Sequence, residues 1–110
     1  MPLYMTQVAY TQGHLTALTR EPRDRTEDLR ALADKTGCRL LNFFYSLGEY
    51  DALILLEAPN ETALTATLLA GLGAGHIRAT KTTQLVDPSE AVEAMRQAGA
   101  VAFTAPGGTR

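Results

Sequence analysis

The stretch Leu40–Glu57, with the sequence LLNFFYSLGEYDALILLE, decides how this chain folds. Two apolar runs flank the segment Leu47-Gly48-Glu49-Tyr50, an arrangement typical of a β-hairpin. Glycine at the first of the two central positions favours a type II′ turn over Gly48-Glu49, because that turn requires φ > 0 there. The predicted register pairs Leu47 with Tyr50, Tyr45 with Ala52, Phe43 with Ile54 and Leu41 with Leu56.

Both faces of this hairpin are too apolar to lie open to water. One face is almost wholly apolar, and the other carries Phe44, Leu53 and Leu55 among its polar residues. An antiparallel sheet with one solvated side would instead alternate cleanly between apolar and polar residues. We therefore expect helices to cover one face and a second copy of the chain to cover the other, in a homodimer or higher homo-oligomer.

Length, charge and cysteine content exclude several classes of protein. The 110 residues fit one domain that folds without a metal or disulfide. The single cysteine, Cys38, precedes an apolar strand, which favours a buried structural thiol over a reactive one. A net charge of −2 argues against a nucleic-acid or anionic-membrane partner. With no apolar run of ~20 residues and no signal-peptide pattern, we expect a cytoplasmic location.

One strand and two helical segments precede the hairpin. Residues 3–10 are rich in aromatic and β-branched side chains and predict the strand. Thr11 can cap a short helix that ends near Arg20. Pro22 interrupts the helical pattern, so a second helix is expected from about Pro22 to Thr36, with Gly37 ending it.

A helix, a strand and a terminal helix follow the hairpin. Asn60 can cap a helix over 61–72, and the glycines at 71, 73 and 75 are expected to break it and form a flexible connector. Residues 76–85 predict a strand. Asp87-Pro88-Ser89-Glu90 is a strong helix start.

The terminal helix is expected to end at Gly99. The residues that it is expected to pack against the body are Ala91, Val92, Met95 and Ala98. Residues 1–99 would then form a single domain, followed by a flexible tail over 100–110.

The order β-α-β-β-α-β plus a terminal helix predicts a ferredoxin-like α+β fold, with an antiparallel sheet of strand order 4-1-3-2 and helices on one face. Chain direction then brings the end of the first strand, the hairpin turn and the start of the last strand to one rim. The candidate ligand-binding residues at this rim are Tyr10, His14, Tyr45, Glu49, Tyr50, Asp51, His76 and Arg78.

A metal site at this rim is the less favoured reading. Two histidines and a carboxylate can ligate a transition metal, but no HxH-type pair is present, and we expect neither metal nor cofactor. Asp51 can instead accept backbone N–H bonds at the hairpin turn or pair with Arg78. No Walker loop, GxSxG, HExxH or CxxC motif occurs in the chain, and the sequence identifies no catalytic residues.

The charged run between Arg20 and Arg30 alternates in sign. Glu21 and Arg25 stand in the order that favours an i,i+4 ion pair. A solvated helix face is therefore expected, with an anion-binding arginine cluster as the alternative.

The segment Gly48-Glu49-Tyr50-Asp51 resembles the motif of the GYD family of small bacterial proteins. Similar blocks extend along the chain, including Pro2-Leu3-Tyr4-Met5-Thr6-Gln7, Glu57-Ala58-Pro59 and Lys81-Thr82-Thr83. The resemblance implies a ferredoxin-like domain related to the dimeric α+β barrel group, which includes cofactor-free monooxygenases, isomerases, cyclases and ligand-sensing domains. It implies no particular activity.

Three functions are compatible with these observations. The first is an oligomer that binds a small molecule in a regulatory or accessory role, as the two-sided apolar strands suggest. The second is a cofactor-independent monooxygenase, isomerase or cyclase with Tyr, His and Asp groups in acid–base roles, which requires an enclosed cavity of a few hundred Å³. The third is a purely structural assembly protein.

Overall fold

The computed structural model describes residues 1–101, and most of the tail expected over 100–110 lies outside the described residues. The elements in chain order are β1 (Leu3–Tyr10), α1 (Gln12–Arg20), α2 (Thr26–Lys35), β2 (Arg39–Tyr45), β3 (Ala52–Glu57), α3 (Glu61–Gly73), β4 (Ile77–Leu85) and α4 (Pro88–Val101).

The four strands form one antiparallel sheet in the order β2-β3-β1-β4. This is the predicted order 4-1-3-2 counted from the other edge, and the predicted ferredoxin-like α+β fold is confirmed. The central strands β1 and β3 carry the most buried side chains, including Val8, Ala52 and Leu56. The core therefore lies on the face of the sheet that the helices cover.

Predicted caps fix where three of the helices begin or end. The Thr11 hydroxyl accepts a hydrogen bond from the His14 N–H at 3.2 Å, and the Asn60 side chain accepts one from the Ala63 N–H at 2.9 Å. Gly37 follows α2 with φ of 78°, a backbone conformation that glycine adopts at little cost. These local signals were correctly predicted because each depends on only a few adjacent residues.

The hairpin is real, but the type II′ turn was wrong. Gly48 does not have positive φ, and β2 ends at Tyr45, so residues 46–51 form a longer loop that the Ser46 N–H closes on the Asp51 carbonyl at 2.8 Å. The predicted pairs Tyr45–Ala52 and Phe43–Ile54 are confirmed. An irregularity between Leu40 and Asn42 pairs Leu56 with Leu40 instead of Leu41.

The predicted start of α2 was wrong, and the predicted end of α3 was one residue short. Helix α2 begins at Thr26 rather than near Pro22, because the Asp24 carboxylate accepts the Thr26 N–H at 2.8 Å and holds a turn before it. Helix α3 continues through Gly71 and Gly73, since two glycines cost a helix about 1 kcal/mol each, which neighbouring turns and packing can offset. Of the three glycines, Gly75 alone takes positive φ, at 80°.

Helix α4 does not pack on the body as predicted. None of its residues is buried, and Val92, Met95 and Val101 are exposed. It also runs to Val101 instead of ending at Gly99, because a glycine costs a helix only about 1 kcal/mol. The amphipathic pattern correctly predicted a helix, but it could not show that the apolar stripe has no partner within residues 1–101.

The sheet face opposite the helices is uncovered in the described part of the chain. By strand alternation it carries Met5, Phe44, Leu53 and Leu55, because their neighbours along each strand point into the core. Phe44 is 55% exposed, whereas the other three are half-buried. We call this surface the open face.

No helix within residues 1–101 combines the length and apolar character that crossing a bilayer requires. The predicted structural role of Cys38 agrees with its burial, at 5% exposure, beside the Thr67 hydroxyl.

Candidate ligand-binding pocket

A pocket of about 400 Å³ lies between the sheet and the helices, at the end of the sheet where β1 stops and β4 starts. Its volume falls in the range of about 300 to 1,000 Å³ typical of small-molecule sites. The residues that line it are Val8, Tyr10, His14, Arg25, Asp28, Leu29, Leu32, Phe43, Tyr45, Ile54, Ala70, Gly71, Ala74, His76 and Ile77. Buried Val8 and Tyr10 form its floor, and exposed Tyr45 and His76 lie towards solvent.

Helix α3 packs closely against β4 at the wall of this pocket. Gly71 of α3 lies so close to Ile77 of β4 that an added Cβ would be 3.1 Å from the Ile77 Cδ1. A smaller void of about 60 Å³ continues inward beneath Leu68. The missing side chain at Gly71 therefore allows α3 to approach β4 at the pocket wall.

Thr11 brings the two histidines together. Its N–H donates to the His76 carbonyl at 2.9 Å, and its hydroxyl donates to the Gly75 carbonyl at 3.4 Å while capping His14. These bonds join the start of α1 to the segment that enters β4. The positive φ of Gly75 turns the chain at this point.

Three rings follow one another along the pocket wall. The ring centroids of Tyr10 and His14 are 4.6 Å apart with an edge-to-face angle of 63°, and those of His14 and His76 are 4.4 Å apart. On the opposite strand, the rings of Phe43 and Tyr45 lie 5.0 Å apart. The arrangement gives an aromatic or aliphatic ligand several ring faces to contact.

The electrostatics of the pocket keep Tyr10 and His14 uncharged near neutral pH. Burial raises the pKa of Tyr10 to about 12, and Tyr45 and Asp51 act in the same direction. Burial, followed by the nearby His76 and Arg25, lowers the pKa of His14 below its ordinary value. Tyr10 is therefore a phenol that can donate a hydrogen bond, and His14 is a neutral imidazole.

Asp51 lies outside the pocket but fixes one of its residues. Its Oδ2 accepts the Tyr10 N–H at 2.8 Å, and its own N–H donates to the Val8 carbonyl at 2.8 Å. Of the two structural roles considered for Asp51, backbone capping is present and a salt bridge to Arg78 is not formed within the described residues. The carboxylate thus holds Tyr10 in place, next to a register shift between Ala9 and Tyr10.

The structure divides the predicted site residues into two groups. Tyr10, His14, Tyr45 and His76 line the pocket together. Glu49 and Arg78 are exposed, and Tyr50 stays in the hairpin loop with its carbonyl bound by the Ser46 hydroxyl. Those three residues, with Asp51, do not line the pocket.

Arg25 is the pocket residue of most chemical interest that the sequence-based prediction missed. The charged run was expected to lie in solvent with Glu21 and Arg25 as an ion pair, but Arg25 turns into the pocket and donates to the Glu21 carbonyl at 3.2 Å. Exposed Arg23 pairs with Asp28 at 2.7 Å, and Arg30 pairs with Glu27, as a surface charge run predicts. Asp28 also borders the pocket, which the sequence-based prediction did not include. The break in the helical pattern at Pro22 was the one sequence signal that part of the charged run does not lie on a helix.

Within residues 1–101, no three His, Cys, Asp or Glu side chains cluster as a metal site requires. His14 and His76 therefore lack a third ligand of these types in the described part of the chain. The chemistry that the pocket can support is hydrogen bonding, aromatic contact and proton transfer.

The fold and pocket define a ferredoxin-like α+β domain with a cavity between sheet and helices. The sequence profile of the GYD domain matches residues 4–95. The chain belongs to the GYD domain family. Among curated proteins, none matches the chain significantly.

Several solved structures share this fold. FFRP-DM1 has a TM-score of 0.55 at 16% identity, with 78% of this chain and 100% of that chain covered. TTHA0845 from Thermus thermophilus has a TM-score of 0.53 at 14% identity, covering 79% of this chain and 95% of that chain. The transcriptional regulator NMB0573 from Neisseria meningitidis, in complex with L-Met, has a TM-score of 0.51 at 17% identity over 79% of this chain. The chain spans about half the length of that regulator, 51%.

Proposed function

We propose that this GYD protein binds a small molecule in the pocket between sheet and helices and acts as a regulatory or accessory oligomer in the cytoplasm. The observation that carries the proposal is the pocket of about 400 Å³, which is mostly apolar and has a few converging polar groups. This composition is typical of ligand sites in proteins. The L-Met complex of a structurally similar regulator supports a sensing role by analogy of fold.

Oligomerisation is the second part of the proposal. The open face places Phe44, Leu53 and Leu55 at the surface of the protomer. A second copy that covers this face would remove the apolar side chains from water, as the sheet-to-sheet contact of a dimeric α+β barrel does. That residues 1–99 form a single domain is part of the same proposal.

The test of ligand binding compares two substitutions on α3. Ala70 is exposed and lines the pocket, whereas exposed Ala66 lies one turn away and does not line it. We expect native mass spectrometry of the purified protein to show a bound metabolite in the wild type and in Ala66→Trp, and none in Ala70→Trp. If the wild type carries nothing and no compound of a fragment library shifts the amide resonances of pocket residues, the binding function is refuted.

An enzymatic role remains the alternative, favoured by one observation. The rings of Tyr10, His14 and His76 follow one another in a pocket of the size required, and the lowered pKa of His14 leaves it free to accept a proton. The pocket is partly open to solvent at Tyr45 and His76, whereas this role requires an enclosed cavity. Asp51, expected as part of this acid–base set, is bound to the Tyr10 N–H instead. Recovery of a captured ligand unchanged after prolonged incubation in air favours the binding protein, and its conversion to a new mass favours the enzyme.

A further inference from the structure

We infer that the pocket takes a monoanionic carboxylate with an apolar body, and that the Arg25 guanidinium binds its carboxylate. The inference rests on the proposed binding function and specifies its ligand. Three features of the pocket carry it: an unsatisfied arginine, the balance of charge around that arginine, and the apolar character of the remaining wall.

Arg25 has hydrogen-bonding capacity that the protein leaves unused. One terminal nitrogen donates to the Glu21 carbonyl at 3.2 Å, while the Nε is buried and has no acceptor. It is the one buried side-chain nitrogen or oxygen of residues 1–101 in that condition. A buried donor without a partner is unfavourable, and more so when it is charged. Because Arg25 lines the pocket, an anionic ligand there would supply an acceptor to its guanidinium.

The charges around Arg25 indicate a single negative charge on the ligand. Asp28 is the acidic residue that lines the pocket, and its carboxylate is already paired with Arg23 at 2.7 Å. Arg25 makes no ion pair with a carboxylate in the described part of the chain. With His14 neutral, Arg25 is the pocket cation that lacks a counter-charge, and one guanidinium matches one carboxylate in planar fork geometry.

The rest of the wall determines the body of the ligand. Leu29, Leu32, Phe43, Ile54 and Ile77 present apolar surface, and Tyr10, His14 and His76 present ring faces. The volume of about 400 Å³ falls within the range of sites that hold small molecules. An aromatic or medium-chain aliphatic acid fits this space, whereas a sugar or nucleotide would leave many polar groups unpaired.

Matched acid and amide probes test the inference on the intact chain. The pairs are 3-phenylpropanoate with 3-phenylpropanamide and octanoate with octanamide, titrated by calorimetry and by amide resonances of the pocket residues. We expect each acid to bind at least about tenfold more tightly than its amide, because a hydrogen bond to a charged group contributes more than a neutral one. Phenyl phosphate should bind more weakly than 3-phenylpropanoate.

Substitution of Arg25 separates charge recognition from the pocket itself. Arg25→Met should abolish the preference for the acid, chiefly by weakening the binding of the acid, and Arg25→Lys should restore part of the preference. Arg20→Met, an exposed residue outside the pocket with the same change in net charge, should keep it. Thermal denaturation checks that all three variants fold.

The different failures are distinguishable. If amides bind as tightly as acids, or Arg25→Met keeps the preference, the carboxylate inference is wrong and the binding function stands. Tighter binding of phenyl phosphate would overturn the assignment of a monoanion. If neither member of either pair binds or shifts a pocket resonance, the inference fails, and the fragment library described above then decides the binding function independently.

Discussion

Asp51 joins the hairpin loop to the end of β1 through two hydrogen bonds and closes the loop with a third. Its N–H and carboxylate bind Val8 and Tyr10 at 2.8 Å each, and its carbonyl accepts the Ser46 N–H at 2.8 Å. The last residue of the GYD-type segment is thus a positioning residue. It fixes the backbone of the strand whose terminal side chain, Tyr10, forms the pocket floor.

Replacing Asp51 should therefore lower the stability of the protein. We expect Asp51→Ala to lower the free energy of unfolding by about 1.5–3 kcal/mol, because the partly buried Tyr10 N–H loses a charged acceptor. Urea denaturation measures this change. Glu49→Ala, in the same loop but exposed, is the control and should change stability by no more than about 0.5 kcal/mol. Equal effects of the two substitutions would contradict the role assigned to Asp51.

His14 should make the protein less stable in mild acid. Its pKa in the folded state lies below its ordinary value, so the unfolded chain binds more protons as the pH falls from about 7 towards 5. The groups around it are His76 and Arg25, which add to this effect, and Tyr10, which stays neutral. The stability contribution of His14 is thus complete above the ordinary histidine range and is lost as the pH falls through the folded-state pKa.

The measurement is the midpoint of thermal unfolding at several pH values. His14→Phe, which keeps an aromatic ring next to Tyr10, should lose less stability than the wild type between about pH 7 and 5. Identical pH profiles for the two proteins would show that His14 does not titrate differently on folding.

At the scale of elements, the turn from α3 into β4 depends on Gly75 and not on the other glycines. Gly75 has φ of 80°, whereas Gly73 is helical with open space around its absent Cβ. We expect Gly75→Ala to destabilise the fold by about 1–2 kcal/mol. Gly73→Ala should stabilise it by up to about 1 kcal/mol. In chemical denaturation, the two substitutions should change the free energy of unfolding in opposite directions if the turn is as described. Changes in the same direction would indicate that 71–75 is a loose connector.

Elements with local causes could be predicted from the sequence. The eight elements, the caps at Thr11 and Asn60 and the C-terminal Gly37 each follow from short patterns. The hairpin turn was misassigned because the Ser46 hydroxyl donates to the Tyr50 carbonyl and stabilises a longer loop. The start of α2 was misassigned because the Asp24 carboxylate accepts the Thr26 N–H. Such side-chain bonds compete with the simpler backbone geometries.

The pocket was predictable only in part. Strand direction correctly brought Tyr10, His14, Tyr45 and His76 to one end of the sheet. Arg25 could not be predicted to join them, because its position depends on the path of residues 21–25 between two helices. For Asp51 the sequence offered both backbone capping and a place in the site but could not decide between them, since both uses suit a carboxylate in a hairpin loop.

At the scale of the whole molecule, the open face should control assembly. Leu53 lies on this face beside Phe44, whereas Leu47 at the hairpin tip is fully exposed and outside the sheet. We expect the wild type to form dimers or higher oligomers at micromolar concentration and Leu53→Lys to be a monomer. Leu47→Lys, the control, should assemble as the wild type does. A wild type that sediments as single protomers would disprove the assembly.

The projecting helix α4 affects how such experiments are interpreted. The described chain extends 62 Å along its longest axis and has a radius of gyration of 18.3 Å, against about 13 Å for a globular domain of this length. So elongated a particle experiences more friction than a sphere of equal mass. A monomer would elute early from a size-exclusion column and be mistaken for a dimer, so its mass must be measured by equilibrium sedimentation or light scattering.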